Sequence, residues 1–293
     1  MNTKLWCQSA SVQAFPTSIL ESAHVLVMKT ACLSALLAPD TAACLSELIQ
    51  VTSAHYSRVI DGYNIEQEFL KRAVLLENQQ YALGEDADLA RRIVAIFDHH
   101  YQILRGRPHS EGNGTVARMV THQQFAQLGL HPHLWSLSRG LARKYEEYQR
   151  VIWLDDHIGK DGLVDGRQFT RDGSLLSFVE FMLHVCHEEV DYIASAFNRH
   201  QLRQRVLGAF RVNQRLLGAG VKVETAPAVL ALLIQGSLPK NEFKIFTGLP
   251  SRSGSDELNR LRDLGVVANS KSQAHRVEPR LPGWFAEEIL PYL

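Results

Sequence analysis

Residues 107–118 read RPHSEGNGTVAR, and this stretch stands directly before a helical pattern. Gly112 and Gly114 carry no Cβ atom, so the backbone can take positive φ values there and successive N–H groups can converge on one point. A helix that starts at about Thr115 adds the positive end of its dipole. The stretch therefore predicts a site for an anion such as phosphate. The alternative is an ordinary turn or helix entry without a ligand, because glycine-containing turns are common.

Two charged side chains flank the glycines in a way that suits a phosphate with a metal ion. Glu111 offers carboxylate oxygens, which are the ligands that Mg²⁺ prefers. Arg118 lies one helical turn further along the chain, where its guanidinium can face the same place. We therefore expect a nucleotide or phosphate site at Glu111, Gly112, Asn113, Gly114 and Arg118, with Glu111 as the Mg²⁺ ligand when a nucleotide is bound.

The same stretch resembles the motif His-Pro-Phe-x-(Asp/Glu)-Gly-Asn-Gly-Arg-x-x-Arg of the Fic family. Its members have a mainly helical fold and mostly transfer AMP from ATP to a hydroxyl group on a protein. The segments FDHHYQILRGRP and ARMVTHQQFAQLGLHPHLWSLSRGLARKYEEYQ resemble the helices before and after the motif, including the Ser-Arg-Gly-Leu-Ala-Arg segment of one Fic subgroup. The resemblance covers about residues 53–76 and 93–198. It implies ATP with Mg²⁺ as the cofactor and a protein as the target.

Upstream, residues 56–62 read YSRVIDG and resemble the inhibitory helix signature (Ser/Thr)-x-x-x-Glu-(Gly/Asn) of the family. Ser57 and Gly62 match this signature, and Asp61 stands in place of the Glu. The resemblance implies that Asp61 pairs with Arg118 and keeps the outermost phosphate of a nucleotide away. Since Asp is one methylene shorter than Glu, we expect the pair to be long or bridged by water. The alternative is that Asp61 and Gly62 only end a helix and that Arg118 is a structural surface residue.

Three positions depart from the motif in ways that bear on catalysis. Arg107 stands where the family has the His that takes a proton from the attacking hydroxyl, and a guanidinium stays protonated at physiological pH. His109 replaces the Phe that anchors the loop, and a displaced base at His109 is an alternative. Thr115 replaces the first motif Arg, which removes a bidentate phosphate contact worth about 1.5–3 kcal/mol. We expect a catalytically degenerate transferase, inactive or weak.

The interval between Asp61 and Arg107 is short and consists mostly of helical patterns. Relatives in the subgroup usually carry a β-hairpin flap in this interval, which aligns the target side chain by strand addition. We therefore expect that the target-docking flap is absent. A partner chain that replaces the flap, or that supplies a base, stays open as an alternative.

The composition is that of an ordinary soluble globular protein. The 293 residues are 45% hydrophobic and carry no formal net charge, which suits one large domain and one small one. The N-terminus shows no signal-peptide pattern, and no stretch approaches the roughly 18 uninterrupted apolar residues of a membrane span. Four cysteines without Cys-x-x-Cys spacing are consistent with a reducing compartment. We expect a cytoplasmic protein without membrane contact.

The 13 histidines form small clusters but show no convincing zinc spacing. His184 and His187 share one helix face, with Cys186 between them, but no second ligand pair accompanies them. We interpret them as structural residues.

Apolar residues recur at helical spacing along most of the chain, which predicts a mainly α fold with a Fic-like helical bundle. The expected helices cover residues 19–37, 41–51, 65–77, 87–104, 135–157 and 175–197, with Asp40 as the N-cap of the second. The expected domains are N-terminal helices over 1–52, a Fic-like domain over 53–200 with its inhibitory-type helix at 53–64 and its motif at 107–118, a connecting helix over 201–222, and a winged helix-turn-helix domain over 223–293.

From about Val223 the pattern changes to short helices and a hairpin. The segments APAVLALLIQG, PKNEFKIFTG and SGSDELNRLRDLG are helical, and VVANSKSQAHRVEPRLP alternates like a hairpin. Helix, helix, turn, helix and hairpin in this order is the winged helix-turn-helix pattern. The candidate DNA contacts are Ser251, Arg252, Ser253, Ser255, Asn259 and Arg260 on the third helix, and Lys271, His275 and Arg276 in the wing.

This C-terminal domain is not basic, because eight Lys and Arg residues are matched by eight Asp and Glu residues. Phosphate neutralisation supplies most non-specific DNA affinity, so a neutral domain must gather positive charge on one face or serve as a protein contact or dimerisation module. Two functions therefore compete. One is a degenerate Fic adenylyltransferase with a residual nucleotide site, and the other is a DNA-binding transcriptional regulator that uses the Fic fold as a scaffold. A homodimer is compatible with both.

Overall fold

The computed structural model describes residues 15–62, 86–105, 113–153, 163–164, 167–168, 171–270 and 273–293. Several predictions fall outside the described residues. They are the helix over 65–77, residues 63–85 and 106 of the interval in which no flap is expected, and the roles of Arg107, His109, Glu111, Gly112 and Lys271.

The chain folds mainly into helices, as the apolar spacing predicts. The helices are α1 (Thr17–Leu36), α2 (Pro39–Ile60), α3 (Asp86–Arg105), α4 (Asn113–Gln127), α5 (Leu137–Arg143), α6 (Tyr145–Ile152), α7 (Arg171–Ala196), α8 (Arg199–Val212), α9 (Gln214–Gly218), α10 (Ala226–Gln235), α11 (Lys240–Phe246), α12 (Ser251–Asp263) and α13 (Gly283–Ile289). The strands are β1 (Leu163–Val164), β2 (Arg167–Gln168), β3 (Leu238–Pro239), β4 (Val267–Asn269) and β5 (Arg276–Pro279), and a 3-10 turn covers Val223–Thr225.

Helix α7 forms the centre of the helical bundle and lies against α1, α3, α5 and α6. Its apolar residues recur at helical spacing, so Phe178, Met182 and Val185 share one buried face. Aromatic contacts extend this core, because the centroid of the Phe125 ring on α4 lies 5.6 Å from that of Phe97 on α3. This packing fixes α4 against α3 and thereby positions the first turn of α4.

Two of the helical predictions are wrong in detail. Asp40 does not cap α2, because α2 begins at Pro39 and Ala38 occupies the N-cap position. The helix expected over 135–157 is instead the pair α5 and α6. Lys144 separates them with φ −113° and ψ 34°, which lies outside the helical region.

Helix α1 is long and apolar enough to cross a membrane, judged by length and composition alone. Its most apolar stretch has a mean hydropathy of 1.4, and 28% of that stretch is buried inside the protein. Glu21 and Lys29 interrupt the apolar residues of α1, so an uninterrupted apolar run is absent there. A core helix and a signal sequence near the N-terminus pass the same test. Here the buried residues Ala23, Leu26 and Leu33 belong to the hydrophobic core, and α1 packs on α7 and α3.

The C-terminal region combines short helices with a three-stranded antiparallel sheet. The order along the chain is α10, β3, α11, α12, β4 and β5, and the strands lie side by side in the order β3, β5, β4. Leu238 of β3 pairs with Val277 of β5, and Val267 of β4 pairs with Pro279 of β5. The sequence does not predict β3, because two residues are too few to show an alternating pattern.

Buried polar contacts fasten the end of the chain to the bundle. Arg139 of α5 is 2% exposed, and its Nη1 donates to both carboxylate oxygens of Glu189 on α7, at 2.7 and 2.8 Å. Its Nε donates to the carbonyl of Tyr292 at 2.9 Å, and its guanidinium lies 3.9 Å from the ring centroid of Tyr192. Arg139 thereby joins α5, α7 and the C-terminal residues.

Candidate anion site

Arg118 is the centre of the candidate site. It lies on α4 and is only 3% exposed, so neighbouring groups must compensate its charge. Helix α2 supplies them. Arg118 Nε donates to the Ser57 hydroxyl at 2.8 Å, while Nη2 donates to the Ser57 carbonyl at 2.9 Å and to Asp61 Oδ1 at 2.7 Å. The cation is buried, whereas Asp61 keeps 20% of its side-chain exposure.

The way in which α2 ends explains how Asp61 reaches α4. The helix stops at Ile60 with Asp61 as its C-cap, and Gly62 then takes a φ of +82°, a left-handed value that favours glycine. The Asp61 carboxylate therefore leaves the helix end and meets the first turn of α4. The dipole of α4 is positive at this turn, which favours a carboxylate there.

Thr115 closes the contact from the α4 side. Its hydroxyl donates a hydrogen bond to Asp61 Oδ2, and Arg118 Nη2 lies 3.4 Å from the Thr115 hydroxyl oxygen. By resemblance to the motif, Thr115 is only a lost phosphate contact, and this role in holding Asp61 is not predicted. The available signal is its position three residues before Arg118, which puts both side chains on one face of the helix.

The ion pair expected between Asp61 and Arg118 is present in the structure. The expectation of a long or water-bridged contact is wrong, because Oδ1 and Nη2 lie 2.7 Å apart. The alternative in which Arg118 is a surface residue is also wrong, since the side chain is buried. The close approach of α2 to α4 compensates for the methylene that Asp lacks relative to Glu.

One nitrogen of Arg118 finds no acceptor among the described residues. Nη1 is buried and makes no hydrogen bond of good geometry with a described residue, although the Tyr148 hydroxyl interacts with the Arg118 guanidinium, which lowers the pKa of Tyr148 against the effect of burial. An unsatisfied buried donor costs about 1–3 kcal/mol. Nη1 lies against the first turn of α4, because a Cβ built on Gly114 would stand 2.9 Å from Nη1 and 3.0 Å from Asp61 Oδ1. Nη1 and the backbone N–H groups in the first turn of α4 are the groups here that can hold an anion.

The expected role of Gly114 needs correction. Gly114 belongs to α4, which begins at Asn113 rather than at about Thr115, and its φ is not positive. It does not shape a nest of amides through its own backbone. The glycine is required because the buried ion pair passes directly over its Cα atom.

A buried polar network lies behind Arg118. His100 Nδ1 is 2.8 Å from the Thr121 hydroxyl, and His100 Nε2 is 3.0 Å from the Tyr148 hydroxyl. Burial lowers the pKa of His100 to about 3, with the Arg118 charge acting in the same direction, so the ring stays neutral at physiological pH. Burial also raises the pKa of Tyr148 to about 12. Neither side chain therefore carries a charge that could balance Arg118, and nothing in the sequence singles out this network of three helices.

Two of the arginines proposed as DNA contacts are engaged within the protein. Arg260 Nη1 donates to the carbonyl of Gly220 at 3.0 Å and pairs with Glu257. Arg276 donates from Nε to the Ser237 hydroxyl at 3.3 Å and from Nη2 to the Ser237 carbonyl. Both arginines are therefore held before any ligand arrives.

The remaining candidates on α12 form a mixed surface. Arg252 is exposed in the first turn, and no described residue pairs with it. Asn259 is exposed but accepts a hydrogen bond from Arg262 at 2.6 Å. Asp256 and Asp263 are exposed on the same face by their spacing, so carboxylates interrupt the positive charge. Ser251 and His275 are exposed, while Ser253 and Ser255 are half-buried.

Among the residues that the structure describes, no group of three His, Cys, Asp or Glu side chains could hold a metal ion. His184 Nε2 lies 3.0 Å from Lys144 Nζ and 3.1 Å from Glu188 Oε1. His187 Nε2 lies 3.1 Å from the Ser22 hydroxyl on α1. The described cysteines Cys32, Cys44 and Cys186 are free thiols.

Comparison of the chain with models of protein families finds no matching family, and comparison with curated proteins finds no matching relative.

Proposed function

We propose that this chain is a catalytically degenerate Fic-like protein that keeps a nucleotide or phosphate site at the start of α4. The observation that carries the proposal is Arg118. Its charge is buried beside a helix N-terminus, one of its nitrogens has no acceptor among the described residues, and Asp61 at the end of α2 accepts a hydrogen bond from another. This arrangement supports an anion site in a closed form, in which a carboxylate takes one of the hydrogen-bond donors that a phosphate would use.

The contacts of Arg118 indicate how the site would work. Ser57, Asp61 and Thr115 occupy Nε and Nη2, so an incoming phosphate finds Nη1 and the N-terminal amides of α4. Releasing Asp61 frees Nη2 as well and restores the bidentate geometry that arginine offers to phosphate. In this proposal ATP binds weakly to the closed protein and more tightly once Asp61 is removed. Glu111 supplies the Mg²⁺ ligand by resemblance to the family.

Transfer of AMP to a protein requires a base that takes a proton from the attacking hydroxyl. By resemblance, Arg107 stands at the position of that base and cannot act as one. We therefore propose that the nucleotide is bound and not transferred. His109 is the alternative base.

The test is a calorimetric titration with ATP and Mg²⁺. We expect weak binding to the wild type, about tenfold tighter binding to Asp61→Ala because one charged hydrogen-bond donor is released, and no binding when Arg118→Met is added. Circular dichroism checks that each variant is folded. Equal affinities for all three proteins, or no heat with the first two, would exclude the site.

Labelled ATP tests the second part of the proposal. We expect no label on the protein itself or on added proteins. Robust self-labelling that His109→Ala abolishes would show that the displaced base works and that the protein is an active transferase.

A second candidate function is DNA binding by a transcriptional regulator. The order α10, β3, α11, α12, β4, β5 and the strand order β3, β5, β4 support a winged helix-turn-helix domain. The test is a gel shift with DNA from the promoter region of the protein's own gene. A shifted band that Arg252→Ala weakens supports the regulator, and a band that Arg252→Ala leaves unchanged counts against contact through α12.

A further inference from the structure

Helix α2 contacts two distant parts of the protein, one at each end. It runs from Pro39 to Ile60 without a break, through the domain boundary expected between residues 52 and 53. At 1.5 Å per residue it is about 33 Å long. Its last turn and its C-cap hold Arg118 through Ser57 and Asp61.

The first two turns of α2 hold the C-terminal region by three hydrogen bonds. Asp40 Oδ2 accepts from the backbone N–H of Ser237 at 2.7 Å, and the buried Thr41 hydroxyl donates to the carbonyl of Leu233 on α10 at 3.0 Å. Cys44 Sγ lies 3.0 Å from the carbonyl of Pro279 on β5 and donates to it. The start of α2 is thus fixed to two elements of the C-terminal region.

Ser237 is held from both sides. Its N–H binds Asp40, while its carbonyl and hydroxyl accept from Arg276 of β5. The neighbouring Gly236 takes a φ of +82°, and a Cβ there would stand 3.0 Å from Asp40 Oδ2. Arg276 and Asp40 therefore share one short backbone segment, and a change at Arg276 reaches α2 through it.

Residues 40–60 contain neither proline nor glycine, the residues at which helices usually kink. A displacement of the first turn of such a helix moves the last turn as well. We propose that α2 couples the C-terminal region to the Arg118 site, so that loss of the Ser237 contact loosens the hold of Asp61 on Arg118. An acidic ligand that draws Arg276 away from Ser237 then opens the anion site. The identity of the anion that Arg118 binds rests on the proposed function, whereas the coupling through α2 does not.

Coupling between two sites is reciprocal, so each end of α2 reports on the other. Amide hydrogen exchange measured by NMR on the full chain without nucleotide gives both readouts. In Asp61→Asn we expect the Ser237 amide to exchange about fivefold faster or more, the lower end of typical coupling. In Arg276→Gln we expect a similar increase in the exchange rates of the Asp61 and Gly62 amides, which donate to the carbonyls of Ser57 and Val59 in the wild type.

Asp256→Asn is the matched control, because it removes an exposed carboxylate on α12 that no described contact ties to α2. We expect wild-type exchange at Ser237 and at Asp61 in this variant. The coupling is overturned if, in Asp61→Asn, the amides of residues 59–62 exchange faster while the exchange rate of the Ser237 amide stays within about twofold of the wild-type rate. Because no nucleotide is present, this result is independent of whether ATP binds Arg118.

Discussion

Two arginine–carboxylate pairs on helices of this protein have opposite burial, and the contrast separates a binding site from a structural contact. In the pair on α4 the cation is buried and Asp61 is 20% exposed. In the pair on α12 the carboxylate is buried, since Glu257 is 1% exposed and the Arg260 side chain is 41% exposed. The charges are alike, and the two buried groups differ in how many of their hydrogen bonds are formed.

Both carboxylate oxygens of Glu257 accept hydrogen bonds. Glu257 accepts from the backbone N–H of Lys222 at 2.9 Å, from the Thr225 hydroxyl at 3.0 Å and from Arg260. Arg118 keeps one nitrogen, Nη1, without a hydrogen bond among the described residues. A buried ion whose bonds are complete fixes a fold, whereas a buried ion with a free donor leaves capacity for a ligand.

The largest expected effect is on the structural pair. Glu257→Ala removes three hydrogen bonds, two of which join α12 to residues 222–225, and we expect a loss of about 3 kcal/mol in the free energy of unfolding. The measurement is urea unfolding with and without inorganic phosphate. We expect phosphate to restore none of the lost stability. A recovery of stability with phosphate would contradict the difference drawn between the two pairs.

The next effect concerns the histidine behind Arg118. The pKa of His100 is lowered to about 3 in the folded protein, against a value of about 6.5 when unfolded. Between these two values the unfolded chain binds a proton that the folded protein does not, so stability falls as the pH decreases through this window. We expect His100 to account for about 2 kcal/mol of the stability lost between pH 7 and pH 5.

His100→Gln removes this titration while keeping a side chain that can hydrogen-bond. Urea unfolding at the two pH values should show a smaller pH dependence for this variant than for the wild type. Other histidines with a lowered pKa, such as the half-buried His133, retain their own contribution. An unchanged pH dependence would show that His100 titrates normally and is not enclosed behind Arg118.

Asp61→Ala tests the binding pair in the same way as Glu257→Ala tests the structural one. It leaves a buried guanidinium without its carboxylate, so we expect a loss of about 2 kcal/mol. Here phosphate should substitute for the carboxylate, and at ten times its Kd it should restore about 1.4 kcal/mol. The measurement is the free energy of unfolding in urea at increasing phosphate concentrations. The control is a chloride salt without sulfate at equal ionic strength.

The smallest effect is at the glycine under the ion pair. A methyl group on Gly114 would meet Arg118 Nη1 at 2.9 Å, and Ser57 and Asp61 prevent the guanidinium from moving aside. We expect Gly114→Ala to cost about 1 kcal/mol despite the better helix propensity of alanine. Gly208→Ala on α8 has no atom within 4 Å of the new methyl and should instead stabilise by about 0.5–1 kcal/mol. Equal effects of the two changes would contradict the close packing of Arg118.

Sequence reasoning succeeds where the signal is local to one helix. The amphipathic pattern over 87–104 predicts α3 to within one residue at each end. The resemblance to the Fic motif implies the pair of Asp61 and Arg118, and the structure contains this ion pair. The main helical character follows from the same periodicity.

Sequence reasoning fails where distant parts of the chain meet. Asp40 looks like an N-cap, but its carboxylate serves Ser237, almost two hundred positions further along the chain. Arg260 and Arg276 look free for DNA, but Gly220, Glu257 and Ser237 hold them. The partner of a surface arginine depends on tertiary packing, which no local pattern encodes.

The most direct measurement is a crystal structure of Asp61→Ala with ATP and Mg²⁺. We expect the nucleotide at the start of α4, with a phosphate oxygen within hydrogen-bond distance of Arg118 Nη1 and a second on Nη2. A nucleotide bound elsewhere, or an Arg118 that keeps its unpaired Nη1 beside an occupied nucleotide, would contradict the proposal that this buried arginine is the anion contact.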